Sequence, residues 1–182
     1  MNHHKPEIAT TDSRIVYRNR WMTVREDKIV RADGQPGIYG VVEKRDFAAI
    51  VAVQEGQVWL VEQFRYPVGR RFWEFPQGSW EDTDVDPLTL ARAELREETG
   101  LTAQTMIHAG RLFEAYGYSS QAFDLFYATG LNQGERELDA EEQGLIARPF
   151  AIAELETMIA EGAIMDVTTV AAFGMLRLKG LI

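Results

Sequence analysis

Apolar and polar positions alternate in short registers through the first quarter of the chain. From Ile15 to Lys44, β-branched and aromatic residues recur between turn signals at Ala32-Asp33-Gly34 and Pro36-Gly37, which predicts two or three antiparallel strands. Ala48 to Val53 is a continuous apolar run bounded by charge. It is short for a helix and suits a strand covered on both faces. Gln57 to Phe64 pairs with it across Glu55-Gly56, and Phe72 to Phe75 predicts a further strand stopped by Pro76-Gln77-Gly78.

Beyond an acidic loop from Ser79 to Asp86, the pattern changes to a helical one. Asp86 is a capping residue directly before Pro87 at the first helical position, and Gly100 can adopt the left-handed conformation that closes a helix. A helix therefore runs from Pro87 to about Thr99, burying Leu88, Ala91 and Leu95. Thr102 to Ala115 and Ala122 to Thr129 predict strands joined by a loop from Tyr116 to Gln121. The acid-rich stretch Leu131 to Gly144 predicts a loop, and Leu145 to Ile152 a return to the sheet. Two helices follow, about Ile152 to Glu161 and Val167 to Lys179, separated by Gly162. Grouped strands and few helices make the class α+β.

Composition narrows the chemistry. A chain of 182 residues with 46% apolar content can bury a substantial core. A formal charge of −9, from 28 acidic against 19 basic residues, argues against long nucleic acid as a partner but admits a small anionic substrate if cations intervene. The absence of cysteine excludes a disulfide scaffold, a thiolate nucleophile and a cysteine metal site. The polar start from Met1 to Arg14 has no signal-peptide pattern, and no window approaches the roughly 18 apolar residues of a membrane span. The expectation is a cytoplasmic protein with no membrane partner.

On the central helix, Glu94 and Glu98 stand one turn apart on one face, with Glu97 about 60° round from Glu94. Like charges so placed repel, and hard divalent cations with oxygen ligands relieve that repulsion. An exposed acidic helix end is the alternative reading of the same three residues. The run Glu94-Leu95-Arg96-Glu97-Glu98-Thr99-Gly100-Leu101, preceded by Gly78 and a loop, resembles the Nudix box of the Nudix hydrolase superfamily. Two departures stand out. Ala93 occupies the motif's arginine position, and one extra residue lies between Gly78 and Glu94, so that either Asp84 or Val85 falls at the first acidic position.

The resemblance extends outside the box. Gln63-Phe64-Arg65-Tyr66-Pro67-Val68 and Trp73-Glu74-Phe75-Pro76-Gln77-Gly78 are similar to the ADP-ribose and nucleoside-diphosphate-sugar pyrophosphatase branch. That similarity implies a Nudix fold, a mixed sheet between helices, over residues 46–182, with an N-terminal antiparallel extension over residues 1–45 that joins two subunits of a homodimer. It implies hydrolysis of the diphosphate bond of ADP-ribose or another nucleoside-diphosphate sugar to a nucleoside monophosphate and a phosphosugar, with Mg2+ or Mn2+ held by Glu94, Glu98 and Glu97 and by a main-chain carbonyl near Gln77 or Gly78. Glu97 and Glu98 stand as the catalytic pair of the box, and Glu141 or Glu142 of the later acidic segment as the general base, with a solvated surface as the alternative for those two. Arg65 is a candidate for binding phosphate and Glu74 for a ribose or metal-bound water, with a structural salt bridge as the alternative for both. Tyr118 is a candidate for stacking on a base, as are Trp73 and Trp80, although packing explains the tryptophans as well; His108 reads as a structural strand residue. Tyr118, seventeen residues beyond Leu101, and Gln77 also resemble the diadenosine polyphosphate branch, which makes a dinucleoside polyphosphate hydrolase the alternative. A non-catalytic nucleotide-sensing module, suggested by Ala93, is a third reading.

Overall fold

The computed structural model describes residues 6–80, 85–136 and 144–182, which divide into two compact units. One contains the described residues up to Arg45 together with Phe113–Ala122; the other contains Asp46–Leu112 and Phe123–Ile182.

The smaller unit is a three-stranded antiparallel sheet in the order β1 (Ile8–Arg18), β2 (Thr23–Arg31) and β3 (Pro36–Glu43). β1 begins seven residues before the predicted start at Ile15, and the reason lies in its burial: every residue of it is exposed, so no apolar face marks it in the sequence. Pro36 and Gly37 open β3 rather than forming a turn, which a first strand position permits because Pro36 has no N–H to offer the ladder. Within this unit Val42 N–H donates to Tyr118 O at 2.8 Å, so the 113–122 segment continues the sheet's edge.

The larger unit is built around β4 (Phe47–Gln54), whose first six residues are all buried, as its uninterrupted apolar run requires. The sheet order is β10-β5-β4-β9-β8, with β6 pairing along β5 and β7 along β4. These strands are β5 (Gln57–Arg65), β6 (Arg70–Glu74), β7 (Gln77–Gly78), β8 (Leu101–Phe113), β9 (Ala122–Gln133) and β10 (Ile146–Ala151). β4 and β9 run parallel, whereas β4 meets β5 and β7 antiparallel, so the sheet is mixed. β9 runs four residues past the predicted Thr129 and takes in part of the expected loop, because ladder pairing holds even its polar end.

Helices cover both faces. α1 (Pro87–Thr99) packs Leu90, Ala91 and Leu95 against Ala48, Ile50, Ala52 and Phe126. On the opposite face, Leu155 of α2 (Ile152–Ala160) and Ala172 and Leu176 of α3 (Val167–Leu178) join Ala49, Val51 and Leu125. The α1 boundaries are those the capping residues predict: Asp86 accepts the Thr89 N–H at 3.0 Å, and Gly100 is left-handed with φ 76°. Its buried stripe, however, includes Leu90, Glu94 and Glu98, while Leu88 is only half-buried. No helix among the described residues is long and apolar enough to cross a membrane.

Candidate active site

Two carboxylates of α1 meet the two residues of β7. β4 pairs Ala48 with Gly78 and Ala49 with Gln77, and Ala48 belongs to the face that α1 covers. Gly78 therefore turns its Cα toward the helix, and Glu94 fills the place a side chain would take: a Cβ on Gly78 would lie 2.2 Å from Glu94 Oε2. One turn on, Glu98 Oε2 accepts the Gln77 N–H at 3.0 Å. Glu94 is 4% exposed and Glu98 1%, whereas Glu97 is half-buried on another side of the helix. The reading of these residues as an exposed acidic helix end is thereby excluded for Glu94 and Glu98.

The donor set fits a hard divalent cation. Two buried carboxylates one turn apart, both seated on a short backbone segment, supply the oxygen ligands that Mg2+ or Mn2+ prefers. Among the described residues, no three acidic or histidine side chains form a ready-made cluster.

A second network lies on β5 and β6. Arg65 Nε donates to Glu74 Oε2 at 3.1 Å, Arg65 Nη2 pairs with Glu74 Oε1, and Gln63 Nε2 donates to Glu74 Oε1 at 2.7 Å. Burial opposes the Arg65 charge, but the adjacent Glu74 carboxylate outweighs it and holds the guanidinium above its ordinary range. Burial lifts the Glu74 carboxyl above its usual value, against the pull of Arg65. The two residues that the sequence offered as separate substrate contacts are thus bound to one another. Glu74 has only 2% of its side chain exposed and anchors, while Arg65 has 41% exposed.

Trp73 packs edge-on to Phe150 at 4.8 Å and Trp80 packs beside the α1 cluster, so packing accounts for both. His108 Nε2 lies 2.7 Å from Asp124 Oδ1, and Arg111 Nη1 donates to Asp124 Oδ2 at 2.6 Å, the structural role expected of a strand histidine. Tyr118 belongs to the smaller unit, where its ring is exposed. Glu141, Glu142 and Asp84 lie outside the described residues. The sequence reading passed over Asp166 and Thr169 at the start of α3. The charge of Asp166 acts on both Arg65 and Glu74, and its carboxylate caps α3 through the Thr169 N–H at 2.8 Å. The Asp-x-x-Thr spacing before an apolar helix was the available signal.

A family model for the NUDIX domain matches residues 42–166. The chain belongs to the Nudix hydrolase family. Ahead of its Nudix domain, residues 8–42 match the nucleoside diphosphate sugar hydrolase N-terminal domain. An ADP-ribose pyrophosphatase of Mycobacterium tuberculosis is 32% identical to this Nudix hydrolase over 167 residues, covering 91% of the chain and 81% of that relative. One of Bacillus subtilis is 29% identical over 95% of the chain and 94% of its own length. A crystal structure of an ADP compounds hydrolase shares the fold, with TM-score 0.83 over 100% of both chains at 18% identity.

Proposed function

We propose that this Nudix hydrolase cleaves the diphosphate bond of ADP-ribose or a closely related nucleoside-diphosphate sugar, releasing a nucleoside monophosphate and a phosphosugar. The observation that carries the reading is the pair Glu94 and Glu98, buried and seated on Gly78 and Gln77. The N-terminal domain match and the ADP-ribose pyrophosphatase relatives support the substrate class.

Glu94 and Glu98, with a main-chain carbonyl at Gln77 or Gly78, would hold Mg2+ or Mn2+, and Glu97 adds a further ligand or orients them. The cation, when bound, neutralises the diphosphate and acidifies water. Arg65 presents its outer N–H groups to a phosphate oxygen, its plane set by Glu74 and Gln63. A carboxylate from the acidic segment, Glu141 or Glu142, takes the proton of the attacking water. The water oxygen then bonds to phosphorus as the bridging P–O bond breaks and its electron pair leaves with the departing phosphate.

The enzyme is further read as a cytoplasmic homodimer joined through the β1–β3 sheet. Exposed apolar side chains there, Ile15, Tyr17 and Ile38 at 53%, 54% and 68%, support a covered face. A substrate panel with Mg2+ tests the activity: ADP-ribose should yield AMP and ribose 5-phosphate. Preferential cleavage of diadenosine tetraphosphate would move the enzyme to the dinucleoside polyphosphate class, and no turnover of any member would favour a sensing module.

A further inference from the structure

We propose that Thr169, at the start of α3, is a positioning residue that holds the Phe75–Gly78 segment in the register needed by Glu94 and Glu98. The activity arm of its test rests on the substrate reading above, and the metal arm only on the reading of Glu94 and Glu98 as cation ligands.

The need arises from the path of the chain. β6 pairs with β5 and ends at Glu74, whereas β7 pairs with β4 and begins at Gln77, so the chain changes partner across Phe75 and Pro76. At such a crossing a backbone amide loses its ladder acceptor, and Phe75 is fully buried. Thr169 supplies the missing acceptor: its Oγ1 takes the Phe75 N–H at 2.9 Å, across 94 residues of sequence. The same hydroxyl donates its proton to Asp166 Oδ2 at 2.7 Å, which fixes the direction of its lone pairs. Thr169 is 0% exposed, so water cannot take its place.

The remaining bonds of the crossing lead to the carboxylates. Ile50 N–H donates to Pro76 O at 2.9 Å, Gln77 N–H donates to Glu98 at 3.0 Å, and Gly78 lies against Glu94. The chain thus runs from the α3 cap through one hydroxyl to the backbone that seats both acids. Thr168 is the internal control. It is adjacent and equally buried, at 1% exposure, but does not take the Phe75 N–H.

Thr169→Val, Thr169→Ser and Thr168→Val, made in the full chain, are compared for ADP-ribose hydrolysis, for Mn2+ affinity by electron paramagnetic resonance, and for thermal melting. Thr169→Val should lower kcat about tenfold or more and weaken Mn2+ binding, with KM within about twofold, as losses of a partner behind a metal ligand do. Thr169→Ser, which keeps the hydroxyl, should restore both, and Thr168→Val should match the parent. If Thr169→Val does not fold, Thr169→Ala carries the same comparison. Unchanged kcat and Mn2+ affinity in Thr169→Val, or failure of serine to restore them, would overturn the role. If the parent enzyme leaves ADP-ribose intact, the substrate reading falls, and the Mn2+ series still decides for or against Thr169.

Discussion

Gly78→Ala separates the fold from the chemistry more cleanly than any change to the acids themselves. A Cβ at that position would stand 2.2 Å from Glu94 Oε2, 2.5 Å from its Cδ and 2.7 Å from Oε1, where ordinary contact begins at 3.4 Å. The carboxylate must therefore retreat by 3.4 − 2.2, or about 1.2 Å. Only the end of a flexible side chain is displaced, and Gly78 is not among the glycines with positive φ, so alanine fits the backbone. Stability should change by about 1 kcal/mol or less, since lost freedom in the unfolded chain partly offsets the crowding. A reacting group displaced by this much costs about 100-fold in rate, equivalent to about 2.7 kcal/mol in the barrier. The assay pairs steady-state hydrolysis in Mg2+ with thermal melting and Mn2+ binding. Gly40→Ala serves as control, because nothing lies within 4 Å of a Cβ there. If Gly78→Ala keeps parental kcat and metal affinity, the close seat of Glu94 on Gly78 has no part in catalysis and the reasoning fails.

Other substitutions test the neighbouring claims. Glu98→Gln keeps an oxygen to accept the Gln77 N–H, so melting should stay near the parent while turnover falls by about two orders of magnitude; intact turnover would remove Glu98 from the site. Arg65→Ala strands the buried Glu74 carboxylate and should destabilise by about 1–2 kcal/mol, a figure discounted for the exposure of the Arg65 side chain, while raising KM for the diphosphate. Glu74→Gln, which still accepts from Gln63 and Arg65, should destabilise less in denaturant titration, and the reverse ranking would contradict the anchoring role. Gly174→Ala, inside α3 with open space around it, should stabilise by about 0.5–1 kcal/mol in the same titration without altering kcat.

Legibility in the sequence followed the range of the forces involved. Asp86, Pro87 and Gly100 act within one turn of themselves, and they placed both ends of α1. The apolar run of β4 announced a strand covered on both faces because its own residues carry that information. β1 has no buried face to write a period, and the two residues of β7 are a strand only because β4 lies beside them. The same division runs through the site. Glu94 and Glu98 are i,i+4 neighbours and could be paired on a helical wheel, whereas the closing of Arg65 on Glu74 depends on how β5 and β6 meet. Burial of the acids was not legible either, since it comes from Gly78 and Gln77 on a separate strand. The bond from Thr169 to Phe75 spans 94 residues and has no local trace beyond a capping pattern.

The placement of the two acids also bears on why they are there. Three effects oppose negative charge at Glu98: near-complete burial, a like charge one turn away at Glu94, and the negative end of the α1 dipole, since the helix stops at Thr99. The Gln77 N–H and the field of Arg65 offset part of this. A leucine at either position would suit the neighbouring cluster of Leu90, Ala91 and Leu95 and would carry none of these costs. The fold nonetheless places two carboxylates where α1 faces Gly78. A doubly charged cation turns two of these effects round, since the paired carboxylates and the negative end of the α1 dipole both attract it. The placement of the two acids is thus consistent with the cation chemistry proposed for this Nudix hydrolase, and removal of divalent ions by EDTA should abolish its turnover.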